Sequence, residues 1–143
     1  MQVKNILREK GREVVTIMSE ATLSEAAQLL SHRRIGAVIV RDGNGELAGI
    51  LSERDIVRAI SRESVQALAR AVSQYMTREV ATCRESDSVD DLMELMTRKR
   101  FRHVPVVENE RLVGIISIGD VVKTRIEETV REAATLREYI AAG

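Results

Sequence analysis

Two short runs in this chain place a hydroxyl and a carboxylate three residues apart: Ser52-Glu53-Arg54-Asp55 and Ser117-Ile118-Gly119-Asp120. Each follows a glycine and two apolar residues, Gly49-Ile50-Leu51 and Gly114-Ile115-Ile116, and each precedes an apolar-periodic stretch. A Ser-x-x-Asp in that position opens a helix, the hydroxyl and the carboxylate each accepting from a free backbone N–H. The same atoms suit a sugar phosphate. An ionised carboxylate is acceptor-only, and its two oxygens can take both hydrogens of a vicinal diol. The free N–H groups and the dipole of the helix start favour a phosphate.

Other reactive side chains are sparse. Cys83 is the one cysteine, so no intramolecular disulfide forms, and its neighbours make it a buried strand residue. His32 and His103 have no acidic or thiol partners at metal-site intervals, and no Ser/His/Asp or Cys/His set is present. Neither a metal nor a catalytic cofactor is expected, and the chain does not read as an enzyme. Gly43-Asn44-Gly45-Glu46-Leu47-Ala48 fits a dinucleotide fingerprint, but it joins two strand-like runs, whereas such a loop must leave a strand and open a helix. The 22 basic and 22 acidic residues cancel, which argues against nucleic acid as a partner. The basic cluster Arg98-Lys99-Arg100-Phe101-Arg102-His103 reads as a helix C-terminus complementing its dipole. No apolar run approaches a membrane span and no signal-peptide region opens the chain, so a cytoplasmic address is expected.

The elements that must hold the two Ser-x-x-Asp runs occur twice. Arg12-Glu13-Val14-Val15-Thr16-Ile17 matches Arg78-Glu79-Val80-Ala81-Thr82-Cys83 at an offset of 66, which falls to 65 after a hairpin turn one residue shorter in the second copy. With 44% apolar but only 2% aromatic residues, aliphatic side chains must fill the core. Each copy predicts a short strand (14–17 and 80–83), then a helix opened by the capping boxes at Thr22 and Ser88 and ending near Arg34 and Arg100. A hairpin follows, Ala37–Val40 with Leu47–Leu51 and Val104–Val107 with Leu112–Ile116, and then the Ser-x-x-Asp helix. The fold class is α+β: tandem strand-helix-strand-strand-helix repeats packed about a pseudo-twofold axis. The first repeat spans about 8–62 and the second about 77–125. Between them Val65, Leu68, Ala69, Val72 and Met76 predict an amphipathic linker helix over about 63–76, and Val3-Lys4-Asn5-Ile6-Leu7 looks like its counterpart.

The paired Gly-apolar-apolar-Ser-x-x-Asp runs, the paired Arg-Glu-Val-x-Thr strands and Arg102-His103-Val104-Pro105-Val106-Val107 together resemble a cystathionine-β-synthase (CBS) domain pair, or Bateman module. The resemblance covers about Val14 to Lys123. It implies a regulatory module that binds an adenosine ligand (AMP, ADP, ATP, NAD(H) or S-adenosylmethionine) in clefts between the repeats. It assigns Asp55 and Asp120 to ribose, with Ser52 and Ser117 beside them, and Thr16 and Thr82 to the ligand-contacting strand threonine. It further implies crossed clefts, Thr16 with Ser117 and Asp120, and Thr82 with Ser52 and Asp55.

The two clefts should differ. Arg54 is placed for a phosphate where the second copy has Gly119, while Arg102 and His103 stand opposite Gly36 and Ala37. At the C-terminus Val122, Ile126, Thr129, Ala133, Leu136 and Ile140 follow a 4-3-4-3-4 spacing over a helix of about 121–142. That stripe either packs on the linker helix or joins two protomers in a homodimer. With no effector domain in view, the expected regulated partner is a separate protein. The competing reading is a structural or oligomerising pair with degenerate clefts.

Overall fold

The computed structural model describes residues 1–142. In the first repeat, β1 (Thr16–Met18) lies parallel to β2 (Ala37–Arg41), which pairs antiparallel with β3 (Leu47–Ser52). Helix α2 (Leu23–Arg33) connects β1 to β2, and α3 (Glu53–Glu63) follows β3. The second repeat has α4 (Val89–Lys99), the hairpin β4 (His103–Glu108) and β5 (Arg111–Ser117), then α5 (Ile118–Ala142). One further helix, α1 (Val3–Lys10), precedes both repeats. The helices stop where expected: Arg34 and Arg100 adopt left-handed C-cap conformations, with φ of 56° and 58°. Thr22 and Ser88 cap α2 and α4 through their hydroxyls alone, without the return bond from Glu25 or Asp91.

Each repeat is completed by the segment preceding the other. Val3, Ile6 and Leu7 of α1 are buried in the core of the second repeat, among Val89, Leu92, Val104 and Ile116. Ala67, Val72 and Met76 of the linker are buried in the core of the first, among Leu23, Val38 and Leu51. The backbone bonds repeat the exchange. Val3 N–H donates to Asp87 O and Lys4 N–H to Glu85 O, as Val72 N–H donates to Ala21 O and Ser73 N–H to Ser19 O. The motif glycines make room for it. A Cβ on Gly49 would lie 2.5 Å from the Thr77 carbonyl oxygen, and one on Gly114 would lie 2.6 Å from Leu7 Cδ2.

Three expectations are corrected. The linker is no amphipathic α-helix but two short 3₁₀ helices, Ser64–Ala69 and Val72–Gln74, with Val65 72% exposed. The N–H groups of Val72, Ser73 and Thr77 donate to carbonyls of the first repeat, so they are not available to an α-helix. The strand expected at 80–83 shrinks to one parallel bridge, Cys83 with Val106. In the first repeat Ile39 N–H donates to Val15 O; its counterpart Pro105 has no N–H to offer Ala81, so the ladder stops. The α5 stripe does not pack on the linker either. Val121 and Thr124 are buried, but Val122, Ile126, Leu136 and Ile140 are exposed.

Candidate functional site

Both Ser-x-x-Asp runs form complete capping boxes. Ser52 N–H donates to Asp55 Oδ2 at 2.9 Å and Asp55 N–H to Ser52 Oγ at 3.3 Å. At the second copy the distances are 2.8 Å and 3.1 Å, Ser117 N–H to Asp120 Oδ2 and Asp120 N–H to Ser117 Oγ. Each carboxylate is therefore held in place by its own helix start, beside a crevice between the repeats.

The first cleft, about 330 Å³, is lined by Ser52, Glu53, Arg54, Asp55 and Arg58 from one repeat. The stretch before the Cys83 bridge (Glu79, Val80, Ala81) and the run from Lys99 to His103 supply the other wall. Its five strong cations, Arg54, Arg58, Lys99, Arg100 and Arg102, make no ion pair with any described residue. Asp55 also has no cationic partner. The geometry leaves an acceptor carboxylate at one end and uncommitted positive charge around it.

The second cleft, about 460 Å³, is lined by Val15, Ile35, Gly36, Ala37, Ile115 and Ser117 together with Lys10, Glu13, Arg33 and Arg34. Here two of the three cations are paired among the described residues, and Arg34 is not. Arg33 pairs with Glu13 at 3.1 Å, and Lys10 Nζ lies 2.6 Å from Asp120 Oδ2. Burial works to raise the Asp120 carboxyl, but the hydrogen bonds from Lys10 and Ser117 outweigh it and hold it below the ordinary carboxylate value.

His103 and Gly36 line both clefts, and a Cβ on Gly36 would sit 3.8 Å from the imidazole. Burial lowers the His103 pKa; Lys10 and Arg102 push the same way, against Asp120 and Glu53. The ring is thus biased towards its neutral form, with one nitrogen left to accept.

Of the residues expected at a site, Ser52, Arg54, Asp55, Arg102 and His103 come together in the first cleft, and Ala37, Ser117 and His103 in the second. Asp120 reaches the second cleft through Lys10. Thr16 and Thr82 line neither; Thr16 is half-buried in β1 and Thr82 is exposed one residue before the Cys83 bridge. Among the basic side chains of the clefts, sequence reasoning missed Lys10, Arg33, Arg34, Arg58, Lys99 and Arg100. Arg58 was within reach, since it stands one helical turn after Arg54 and Asp55 on the same face. No cluster of three or more metal-ligating side chains occurs among the described residues.

The fold is shared with known proteins. The sequence pattern of the CBS domain matches residues 3–62 and 72–127, and the chain belongs to the CBS-domain family. It is 31% identical over 149 aligned positions to the mitochondrial CBS domain-containing protein CBSX3 of Arabidopsis thaliana, covering 99% of this chain and 72% of that protein. The crystal structure of the CBS-domain containing protein ATU1752 from Agrobacterium tumefaciens superposes with a TM-score of 0.84 at 50% identity, over 87% of this chain and 92% of that one. The CBS domain pair of protein MJ0100, in complex with 5′-methylthioadenosine and S-adenosylmethionine, gives 0.79 at 29% identity, over 90% and 98%. No helix among the described residues is long and apolar enough to cross a membrane.

Proposed function

We propose that this chain is a regulatory module, and not a catalyst, that binds an adenine nucleotide between its repeats and signals occupancy to a separate protein. The observation that carries the reading is the first cleft: Asp55, fixed by its cap and free of any cation, faces five unpaired basic side chains. The carboxylate takes the ribose diol, and the guanidinium groups of Arg54, Arg58 and Arg102 take phosphate oxygens. A volume of about 330 Å³ lies within the usual range for a small-molecule site. That the related MJ0100 pair holds adenosine compounds supports the same ligand class. The positive lining favours AMP, ADP, ATP or NAD(H) over S-adenosylmethionine, whose sulfonium is itself cationic. Thr16 and Thr82 are left out of this assignment because they line neither cleft.

A thermal-shift panel with AMP, ADP, ATP, NAD⁺, NADH and S-adenosylmethionine tests the proposal. A ligand at 100 times its dissociation constant should add about 2.7 kcal/mol of stability. Phosphorylated compounds should give the larger shifts, and no shift with any of the six would leave the structural reading standing instead. A ligand moves a regulatory equilibrium only by its differential affinity for two states. The exposed stripe Val122, Ile126, Leu136 and Ile140 supports a homodimer as the unit in which those states differ, and light scattering of the chain with and without nucleotide measures it.

A further inference from the structure

Lys10 stands where the duplication is broken. The crossing segments align so that Leu7 corresponds to Met76, the side chains facing Gly114 and Gly49, while Arg12 corresponds to Arg78. Between these points the linker has only Thr77, but the N-terminal segment has Arg8, Glu9, Lys10 and Gly11. In the first repeat Thr77 N–H donates to Ile50 O at 2.8 Å, using the free edge of β3. In the second repeat the matching carbonyl, Ile115 O, accepts instead from Lys10 Nζ at 2.9 Å. The extra turn of α1 thus replaces a backbone donor with an ammonium, and that ammonium also bonds Asp120 Oδ2 at 2.6 Å. Asp55 has nothing comparable.

We infer that Lys10 is a built-in competitor for the Asp120 carboxylate, so that a ribose binds the second cleft only by displacing it and the Asp55 cleft fills first. The inference rests on the adenosine reading of the clefts and adds a rank order to it. A diol needs both carboxylate oxygens as acceptors. At Asp120 the Oδ2 bound by the Ser117 N–H is also held by an ammonium, whereas at Asp55 the second donor to Oδ2 is only the Ser52 hydroxyl at 3.2 Å, which can rotate away. Displacement also frees the end of α1, whose Val3, Ile6 and Leu7 stay anchored in the second repeat. Only the last turn has to give.

Adenosine is the suitable probe, because it carries the diol without a phosphate that Lys10 could attract. Titration calorimetry on Asp55→Asn reads the Asp120 cleft alone, and on Asp120→Asn the Asp55 cleft alone. Adding Lys10→Gln to Asp55→Asn should tighten adenosine binding roughly fivefold, the size of effect an ion pair of this exposure supplies. Unchanged or weaker binding in the double variant overturns the inference, the latter marking Lys10 as a ligand contact. Far-UV circular dichroism and the thermal midpoint establish that α1 still docks in each variant. Binding in Asp120→Asn but in neither Asp55→Asn chain sinks the competitor and leaves the Asp55 reading; the reverse pattern sinks the Asp55 reading alone. Adenosine and ADP binding to none of the chains sinks both.

Discussion

The cleft at Asp55 and the cleft at Asp120 share a capping box, a motif glycine and a crossing segment, but opposite things face their carboxylates. Around Asp55 the arginines and lysine are left without partners. Around Asp120 two of the three cations are already paired, Lys10 by the carboxylate itself and Arg33 by Glu13, and only Arg34 is left without a partner among the described residues. The backbone of a duplicated fold is thus kept, while the side chains facing each carboxylate and the length of the crossing helix differ. In both copies the serine caps the helix and the glycine admits the crossing chain, and Ser52 and Ser117 each also line their cleft. The carboxylates differ in what holds them.

The sharpest way to break the comparison is through the glycines. At Gly49 a methyl group meets a backbone carbonyl that is hydrogen-bonded into the β3 edge, so the linker itself must move. At Gly114 it meets the methyl groups of Leu7, a buried side chain that can shift without moving backbone. Gly49→Ala should cost about 2–3 kcal/mol and Gly114→Ala about 1 kcal/mol in urea unfolding. Equal costs would show that the two crossings are held alike and that the linker is no stiffer than α1.

Ligand binding is the next contrast. If the Asp55 cleft fills first, Asp55→Asn should weaken ADP at least tenfold, because a charged acceptor is lost from two hydrogen bonds. Asp120→Asn should leave the first binding event within about twofold, since Lys10 already masks that carboxylate. Both variants keep a capping-competent side chain, so without ligand Asp55→Asn should hold its thermal midpoint and Asp120→Asn should lose at most about 1 kcal/mol, the contribution of the Lys10 pair. A larger loss at Asp120 than at Asp55 would reverse the order of the clefts.

Much of this was readable from sequence because it depends on local pattern. The hairpins, the helix ends at Arg34 and Arg100 and both Ser-x-x-Asp caps follow from residues within a few positions of one another. What was not readable depends on partners far along the chain. Val65 to Met76 carries a helical spacing, but carbonyls at Ala21 and Ser19 claim the N–H groups of Val72 and Ser73, and Ile50 claims that of Thr77 just beyond. Pro105 ends a parallel ladder whose other strand lies more than twenty residues earlier, at Ala81. Lys10 and Asp120 are 110 residues apart, and nothing in either neighbourhood announces the other. Cys83 is buried as expected, though in an isolated bridge and not a strand, and its thiol is pushed up to about 12 first by burial and then by Asp87 and Glu108.

The smallest expected effect is the acid dependence of the Lys10–Asp120 pair. The folded Asp120 carboxyl lies below its ordinary value, so its contribution to stability is fully present above the unfolded carboxylate pKa of about 3.9. It is lost as pH falls further, through the lower folded value. Lys10→Gln removes the bond that contributes most to that lowering, and the pair is exposed enough that at most about 1 kcal/mol is at stake. The difference in thermal midpoint between the native chain and Lys10→Gln should therefore be constant from pH 5 to 7 and shrink progressively below about pH 4. Gly49 and Gly114 variants, whose costs are steric, should show no such convergence. A gap between native and Lys10→Gln that persists unchanged in acid would mean that Lys10 stabilises the chain through its bond to the Ile115 carbonyl and not through Asp120.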